Sequence, residues 1–529
     1  MSSRRALAPL AVAAVAAAAL VPAVSGAAVA APPAPEVTLT PLGTYRTGAF
    51  DEGASEIVAH DPERQRLFVV NAHAGTVDVL DIRDARNPVK LASLDTPGAN
   101  SVAVQGNLVA VAEQADEKTG PGTVSFFDAT TFAKVSQVPA GALPDMVRFT
   151  GSGDFALVAN EGEPEGYCEG QVDPEGSVSV IDLRAGAAKA TVRTADFTAY
   201  NAQVDALRAE GVRIYGPNAS VAQDLEPEYI TTSTNGKTAW VTLQEANAVA
   251  TIDVRTARVT DIAPLGLKDH SVAGQGLDAS DKDKAINIAQ WPVKGMYQPD
   301  SIASYAVKGQ TYLVTANEGD ARDWDCYAEE ERVKSLTLDP AAFPNAVALQ
   351  KDSALGRLTV STATSKTSAA GITELHVLGG RSISVRSADG TLVWDSGDAF
   401  EQLTAAADPE LFNADNAEND SADTRSDNKG PEPEGLDLGK LGGRAYAFVG
   451  LERTSGIAVV DVTNPAAGRI AGYAHNRIAD GDPEAGTAGD LGPEGVHFIA
   501  GEDSPTGTPL LAVGNEISGT TTLWEISTH

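Results

Sequence analysis

Histidine, cysteine and positive charge are all in short supply along these 529 residues. There are seven histidines and two cysteines. No HxH or HExxH spacing occurs among the histidines, which disfavours a zinc site. Lysine and arginine together number 39 against 72 aspartates and glutamates, for a net charge of −33. So acidic a balance argues against nucleic acid and anionic lipid as partners and makes cations the natural counterpart. A generally acidic surface of the halophile kind is the alternative. Beyond the N-terminus, no apolar stretch approaches the ~20 residues of a membrane span. There is no GxSxG elbow, and no Ser or Cys stands at a diagnostic spacing from a His, although triads assembled from distant positions leave no such trace.

What is present begins with a leader. Residues 1–30 combine Arg4 and Arg5 with an Ala, Leu and Val core and small residues suited to cleavage after Ala28 or Ala30. This predicts a signal peptide followed by a linker over 31–36. The arginine pair fits either twin-arginine export or an ordinary positive n-region. The C-terminal TLWEISTH shows no sorting tail, so a secreted, extracellular monomer without a membrane span is expected.

From residue 37 onward a short script recurs. An acid or amide, often just after proline, opens a short apolar run; a turn follows, then a second apolar run ending in Asn, Gln or Glu. Copies begin at Glu56, Asn100, Asp145, Glu228, Asp300, Glu434 and Glu494. The first two steps, 56 to 100 and 100 to 145, are 44 and 45 residues, the period of a four-stranded propeller blade. A third strand often closes on Asp, as in TVDVLDI (76–82) and GIAVVDV (456–462), and a more polar fourth follows, as in VKLASLD (89–95). Alternating apolar residues punctuated by Gly, Asn and Pro predict strands throughout. After TTLWEIS (521–527) no chain remains for a last fourth strand, and VTLTPLGTYR (37–46) can supply it. The prediction is an all-β, seven-bladed β-propeller over 37–529, its last blade closed by the N-terminal strand, with long inserted loops.

That topology directs the carboxylates. In a blade, the start of the first strand and the end of the second meet at one face. Glu56, Asp145, Glu228, Asp300, Glu434 and Glu494 start first strands; Glu113, Glu161, Glu245, Glu318, Glu452 and Glu516 end second strands, and Asp320 follows in an insertion. Asn71, Asn100, Asn160, Asn317 and Asn515 add amides at matching positions. Each acid alone is explained by capping a turn or strand end. Gathered at one channel mouth, they would repel one another unless a cation neutralised them. Oxygen donors without His or Cys favour Ca²⁺. The insertions NEGEPEGYCEGQVDPEG (160–176) and NEGDARDWDCYAEEE (317–331) carry further acids, as do 277–287 and 413–435, neither of which matches an EF-hand loop. The last reads equally as a solvated, mobile loop. Cys168 and Cys326 occupy equivalent loops of the third and fifth blades. Those blades are not neighbours, so free and bonded thiols both remain open.

The strings ANEGDARDW (316–324), WPVKGMYQPDSIASY (291–305), ANEGEPEG (159–166) with VDPEGSVSVID (172–182), and LDASDKDKAINI (277–288) resemble the choice-of-anchor I family. This family of secreted bacterial proteins also covers mesenchyme-specific cell-surface glycoproteins linked to biomineralisation. The resemblance spans about residues 40–527. It implies a propeller-like extracellular domain with variable anchoring and no securely assigned reaction. Cys168 and Cys326 depart from the pattern. Two functions compete. One is a Ca²⁺-binding scaffold that presents its acidic face to a mineral, an envelope polysaccharide or a protein. The other is a Ca²⁺-dependent phosphoester hydrolase, alkaline phosphatase or phytase-like, to which PEPEGLDL (431–438) and GPEGV (492–496) bear some likeness. A hydrolase also needs cations to hold phosphate, for which Arg148, Arg322, Lys429 and Arg453 are the candidates, with salt bridges as their other reading. Trp240 and Trp524 read as core; Trp291 and Trp324 read as loop packing or as a stacking surface for a sugar.

Overall fold

The computed structural model describes residues 36–529; the predicted signal peptide and most of the linker lie outside them. Strands dominate these residues. Seven four-stranded antiparallel sheets form, each from a continuous or interrupted stretch of chain. Their first strands are Val58–Asp61, Ala99–Gln105, Pro144–Phe149, Pro227–Thr232, Ile302–Val307, Pro433–Leu441 and Pro493–Ile499. Each touches the first strand of the next sheet, and the seventh touches the first. In the seventh sheet Val37–Arg46 pairs antiparallel with Thr520–Thr528, from Val37 opposite Thr528 to Arg46 opposite Thr520. This leaves the first and last described segments of the chain side by side in one sheet.

Position within a sheet explains the composition of each strand. Second strands lie mid-sheet, covered on both faces by neighbouring sheets, so Leu67 through Asn71 are all buried. Their sequences therefore read as continuous apolar runs. Fourth strands form the outer edge, and Val89–Asp95 and Lys134–Ala142 are largely exposed and carry lysines, which discourages pairing with another chain. Apolar clusters fill the space between consecutive sheets. Phe68, Val79, Val102 and Val111 join the first to the second, and Val314, Val385, Val449 and Val460 join the fifth to the sixth. The cluster of Val58, Leu67, Leu510 and Leu523 joins the seventh back to the first. Trp240 and Trp524 lie in such clusters.

Insertions crowd the same side as the acids. Between the second and third strands of the fifth sheet, and just before that sheet, the chain builds a five-stranded sheet. Its order is Leu267–Asp269, Val293–Met296, Gly371–Val377, Thr359–Ser368 and Glu330–Arg332. It has its own core, against which Trp291 packs while donating Nε1–H to the Leu277 carbonyl. Residues 413–435, for which a solvated, mobile loop is one of two readings, are packed: Asn413, Ser426, Asp427 and Glu432 are buried. Among the described residues, no helix is long and apolar enough to cross a membrane.

Candidate functional site

Local sequence aims the acids. Proline precedes the acid at Pro144, Pro227, Pro299, Pro433 and Pro493. It is tolerated there because the first strand faces the axis, where no strand would accept its missing N–H. Immediately after proline the ladder slips, between Pro144 and Val147, Pro227 and Ile230, Pro433 and Leu436, and Pro493 and Val496. These are β-bulges, and a bulge re-aims the side chain it carries. Asp145, Asp300, Glu434 and Glu494, with Asn100, thereby line an axial cavity of 70 Å³. Neighbouring strands press together here: a Cβ on Gly435 would lie 1.7 Å from the Glu494 carbonyl oxygen, and one on Gly495 would lie 2.3 Å from that of Glu56. Hydrogen bonds cross between sheets at the same level, from Asn100 Nδ2 to the Pro144 carbonyl (3.1 Å) and from Thr242 Oγ1 to the Asp300 carbonyl (2.9 Å).

The second-strand ends divide by alternation. Residues of one strand face opposite sides in turn. In the Asn-Glu pairs the asparagine turns into its own sheet: Asn160 Nδ2 donates to Ser179 Oγ at 3.0 Å, and Asn317 Nδ2 to Ser384 Oγ at 2.9 Å. Asn71 and Asn515 do the same with Asp78 and Thr520. These four amides are therefore latches within sheets, not mouth ligands as the sequence suggested. Glu113 pairs in register with Thr123, as Asn160 does with Ser177. It accepts from Ser125 (2.7 Å), Thr123 (3.1 Å) and Gln137 (3.1 Å), and so leaves the mouth as well. Glu161, Glu318, Glu452 and Glu516 stand one residue further on and join the first-strand acids.

The electrostatics show how closely the acids gather. Burial, then Glu516 and Asp145, pushes Glu56 up to about 8. Burial, then Glu432, does the same for Glu452, also to about 8. Asp145 rises to about 7 through burial and then Glu163, and Asp320 to about 7 mainly through burial. Glu228, Asp300, Glu434 and Glu494 are pushed well above the usual carboxylate range, by burial first and then by Glu245, Glu318, Glu452 and Glu56 respectively. Glu161, Glu245 and Glu516 are raised with burial as the leading cause. One oxygen on each of Glu228, Glu245, Glu434 and Glu494 is buried without a hydrogen-bond partner. Leaving such a group unpaired costs ~1–3 kcal/mol, more when it is charged.

Basic groups pair with acids in one sector of the mouth, and Arg322 serves a buried acid cluster beside another. Lys429 Nζ reaches Glu318 (2.6 Å) and Glu432 (3.2 Å), and Arg453 Nε reaches Glu432 (3.0 Å) and Glu452 (3.3 Å). Glu318, Glu432 and Glu452 are the trio among the described residues whose oxygens lie within 4.8 Å of one another, and these cations already cross it. Although burial opposes it, the cationic neighbours Lys429, Arg453 and Arg425 hold Glu432 down at about 2. Glu432, absent from the sequence reading, is the acid of the Pro-Glu-Pro-Glu string that precedes the repeat position. Arg322 is buried and pairs with Asp224 (2.5 Å) and Glu226 (2.7 Å). Arg148 lines the channel beyond the acid tier rather than its mouth.

Three loops cover one side of the mouth. Cys168 and Cys326 are bonded, with Cα atoms 5.2 Å apart. The loops of the third and fifth sheets meet over the segment that leads into the fourth, where Gln223 Nε2 donates to the Asp173 carbonyl (2.7 Å) and the Tyr215 and Tyr327 rings lie 6.4 Å apart. Tyr167 N donates to the Asp325 carbonyl (2.9 Å), and the Tyr167 and Tyr327 rings meet edge-on at 5.5 Å. Lys118 bonds Glu163 (2.5 Å) and lies 4.4 Å over the Trp324 ring. Trp324 is thus engaged in loop packing.

Residues 56–465 match the family model described as the choice-of-anchor I domain. Gigasin-3a of Magallana gigas is 33% identical over 189 residues, covering 34% of this chain and 66% of that protein. The mesenchyme-specific cell surface glycoprotein of Strongylocentrotus purpuratus is 28% identical over 312 residues, covering 50% of this chain and 40% of that protein. The chain thus spans less than two thirds of either relative's length. Among solved structures, Kuenenia stuttgartiensis hydrazine synthase aligns at 13% identity with a TM-score of 0.47, covering 91% of this chain and 99% of that one. The β-propeller domain of Myceliophteria_thermophila Cps50 (Swd1) aligns at 9% identity with a TM-score of 0.45, covering 93% and 100%.

Proposed function

The chain belongs to the choice-of-anchor I family, and from that premise we propose that it is a secreted seven-bladed propeller whose acidic mouth binds a divalent cation, calcium foremost, as an extracellular binding or scaffold module. The observation that carries this reading is the set of buried, unpartnered carboxylate oxygens, those of Glu434 and Glu494 at the axial cavity and those of Glu228 and Glu245 beside it. A low-dielectric cluster of carboxylates stays ionised at neutral pH only with a counter-charge. Lys429 and Arg453 supply one for the Glu318, Glu432 and Glu452 sector. Among the described residues, no Lys, Arg or His forms an ion pair with Glu56, Asp145, Asp300, Glu434 or Glu494.

The donor set fits a hard cation. Asp145, Asp300, Glu434 and Glu494 offer carboxylate oxygens and Asn100 an amide oxygen, the ligands calcium prefers. They are more widely spaced than the Glu318 trio, so water completes the coordination and bridges to the carboxylates. A relative named as a cell surface glycoprotein supports an extracellular setting, where a mineral, an envelope polysaccharide or a protein would meet this face.

The hydrolase reading asks for cations at the mouth free to hold phosphate, whereas Arg322, Lys429 and Arg453 are spent on carboxylates and Arg148 lies beyond the acid tier. Titration calorimetry of the purified chain with Ca²⁺ and Mg²⁺, beside phosphatase and phytate assays with and without chelator, separates the two. The scaffold reading expects saturable calcium uptake without turnover, lost in a Glu434→Gln, Glu494→Gln double variant. Absence of calcium binding in the intact chain would sink it, and chelator-sensitive phosphate release would transfer the site to the hydrolase.

A further inference from the structure

In the fourth and fifth sheets Thr232 and Ser304, four residues along from the acid, reach the channel, whereas in the other five first strands the position three along does. It is Ala59, Ala103, Arg148, Asp437 and His497 in the first, second, third, sixth and seventh sheets. The bulge makes this spacing work: one extra residue between the two positions brings both to the axis. Small side chains on two strands leave a void, and polar ones on the other three reach into it. The result is a channel chamber of 470 Å³. Ile57, Ser101, Met146 and Tyr229 border both this chamber and the acid cavity, forming the neck between them.

The chamber's chemistry is opposite to that of the mouth. Arg148 lines it, is half-buried and makes no ion pair or side-chain hydrogen bond among the described residues. His60, one position further along, is 8% exposed, and its Nε2 is buried with no hydrogen-bond partner. Its ring lies 6.3 Å from that of His497. Asp437 belongs to the wall: its oxygens accept from Leu438 N (2.8 Å) and Phe498 N (2.9 Å), and one lies 3.5 Å from His497 Nδ1. That contact orients the imidazole, as an outer carboxylate orients a ligating histidine.

An unpaired guanidinium in a walled polar cavity is a donor without its acceptor, and two imidazoles stand beside it. Guanidinium matches a planar or tetrahedral oxyanion in two parallel hydrogen bonds. We propose that this chamber is a second binding site, separate from the cation mouth, for a small organic molecule carrying a carboxylate or phosphate group, with Arg148 holding the oxyanion and His60 and His497 flanking it. Its size suits a ligand pocket. This proposal does not depend on cation binding at the other end of the channel.

The test uses inorganic phosphate and malonate as probes, read through the imidazole NMR signals of His60 and His497 in the intact protein. Saturable shifts in both signals are expected, with phosphate or malonate preferred according to which oxyanion the chamber fits. Binding should weaken about tenfold or more in Arg148→Gln and should persist in the Glu434→Gln, Glu494→Gln variant. Ala103→Met, which fills the chamber and leaves Arg148 in place, should also abolish it. Absence of a saturable response to both probes, or equal responses in the native protein and Arg148→Gln, would overturn the proposal.

Discussion

Glu494 shows how one residue can be built for a partner it does not find within the chain. Proline before it and glycine after it allow the bulge and the close approach of the neighbouring strand. Its pKa is raised, and its ionisation opposed, by burial and then by Glu56 and Glu516. Replacing Glu494 with Gln keeps the shape and removes the charge. At alkaline pH in chelator, once the native carboxyl ionises, this variant should be more stable than the native protein by about 1–2 kcal/mol, the scale of a like-charge pair at intermediate dielectric. At pH 5, where a carboxyl raised well above its usual range holds its proton, the two should unfold alike. Denaturant melts at both pH values test this, and equal stability at high pH would show that the repulsion is not there. At this scale the Pro-acid strings were readable from spacing alone. The sideways turn of Asn160 and Glu113 was not, because it depends on the ladder register with Ser177 and Thr123.

At the level of elements, the disulfide is the clearest case of something spacing left open. Cys168 and Cys326 are separated by 158 residues, and their loops meet where both pack on the segment leading into the fourth sheet. Closing a loop that long restricts the unfolded chain by about 5 kcal/mol in the entropy model, an upper figure. A Cys168→Ser, Cys326→Ser variant should therefore lose several kcal/mol in denaturant melts. Proteolytic cleavage should also appear first within 160–176 and 317–331. Unchanged stability would mean that Tyr167, Asp325 and Lys118 alone hold the clasp. The five-stranded inserted sheet escaped the sequence reading for a related reason. Its strands come from two separated insertions, and the parallel pairing of Val293–Met296 with Gly371–Val377 leaves no local signature.

Across the whole molecule the acid mouth makes stability depend on pH and on cations together. Glu56 and Glu452 rise from 4.5 to about 8, and Asp145 from 3.8 to about 7. Groups raised on folding bind more protons in the folded state, so their stabilisation is full below about pH 4 and is lost as pH climbs to about 8. In chelator, the melting temperature should fall across that window. With excess Ca²⁺ the fall should shrink or vanish, because the cation binds the ionised form and competes with protons. Melting curves at stepped pH in chelator and in calcium check this. A chelated protein that grows more stable from pH 5 to 8 would remove the basis for the cation site.

The sequence by itself determined where first strands start, which strands are apolar on both faces, and that acids recur at one structural position. Each of these depends on neighbours a few residues away and on a repeated period. Tertiary structure alone decided which acids meet at the axis, which are neutralised by Lys429 and Arg453, that the two cysteines join, and that Arg148 stands in the channel beyond the acid tier. Those outcomes depend on distances between residues that folding brings together from different sheets, and no local pattern encodes such a distance.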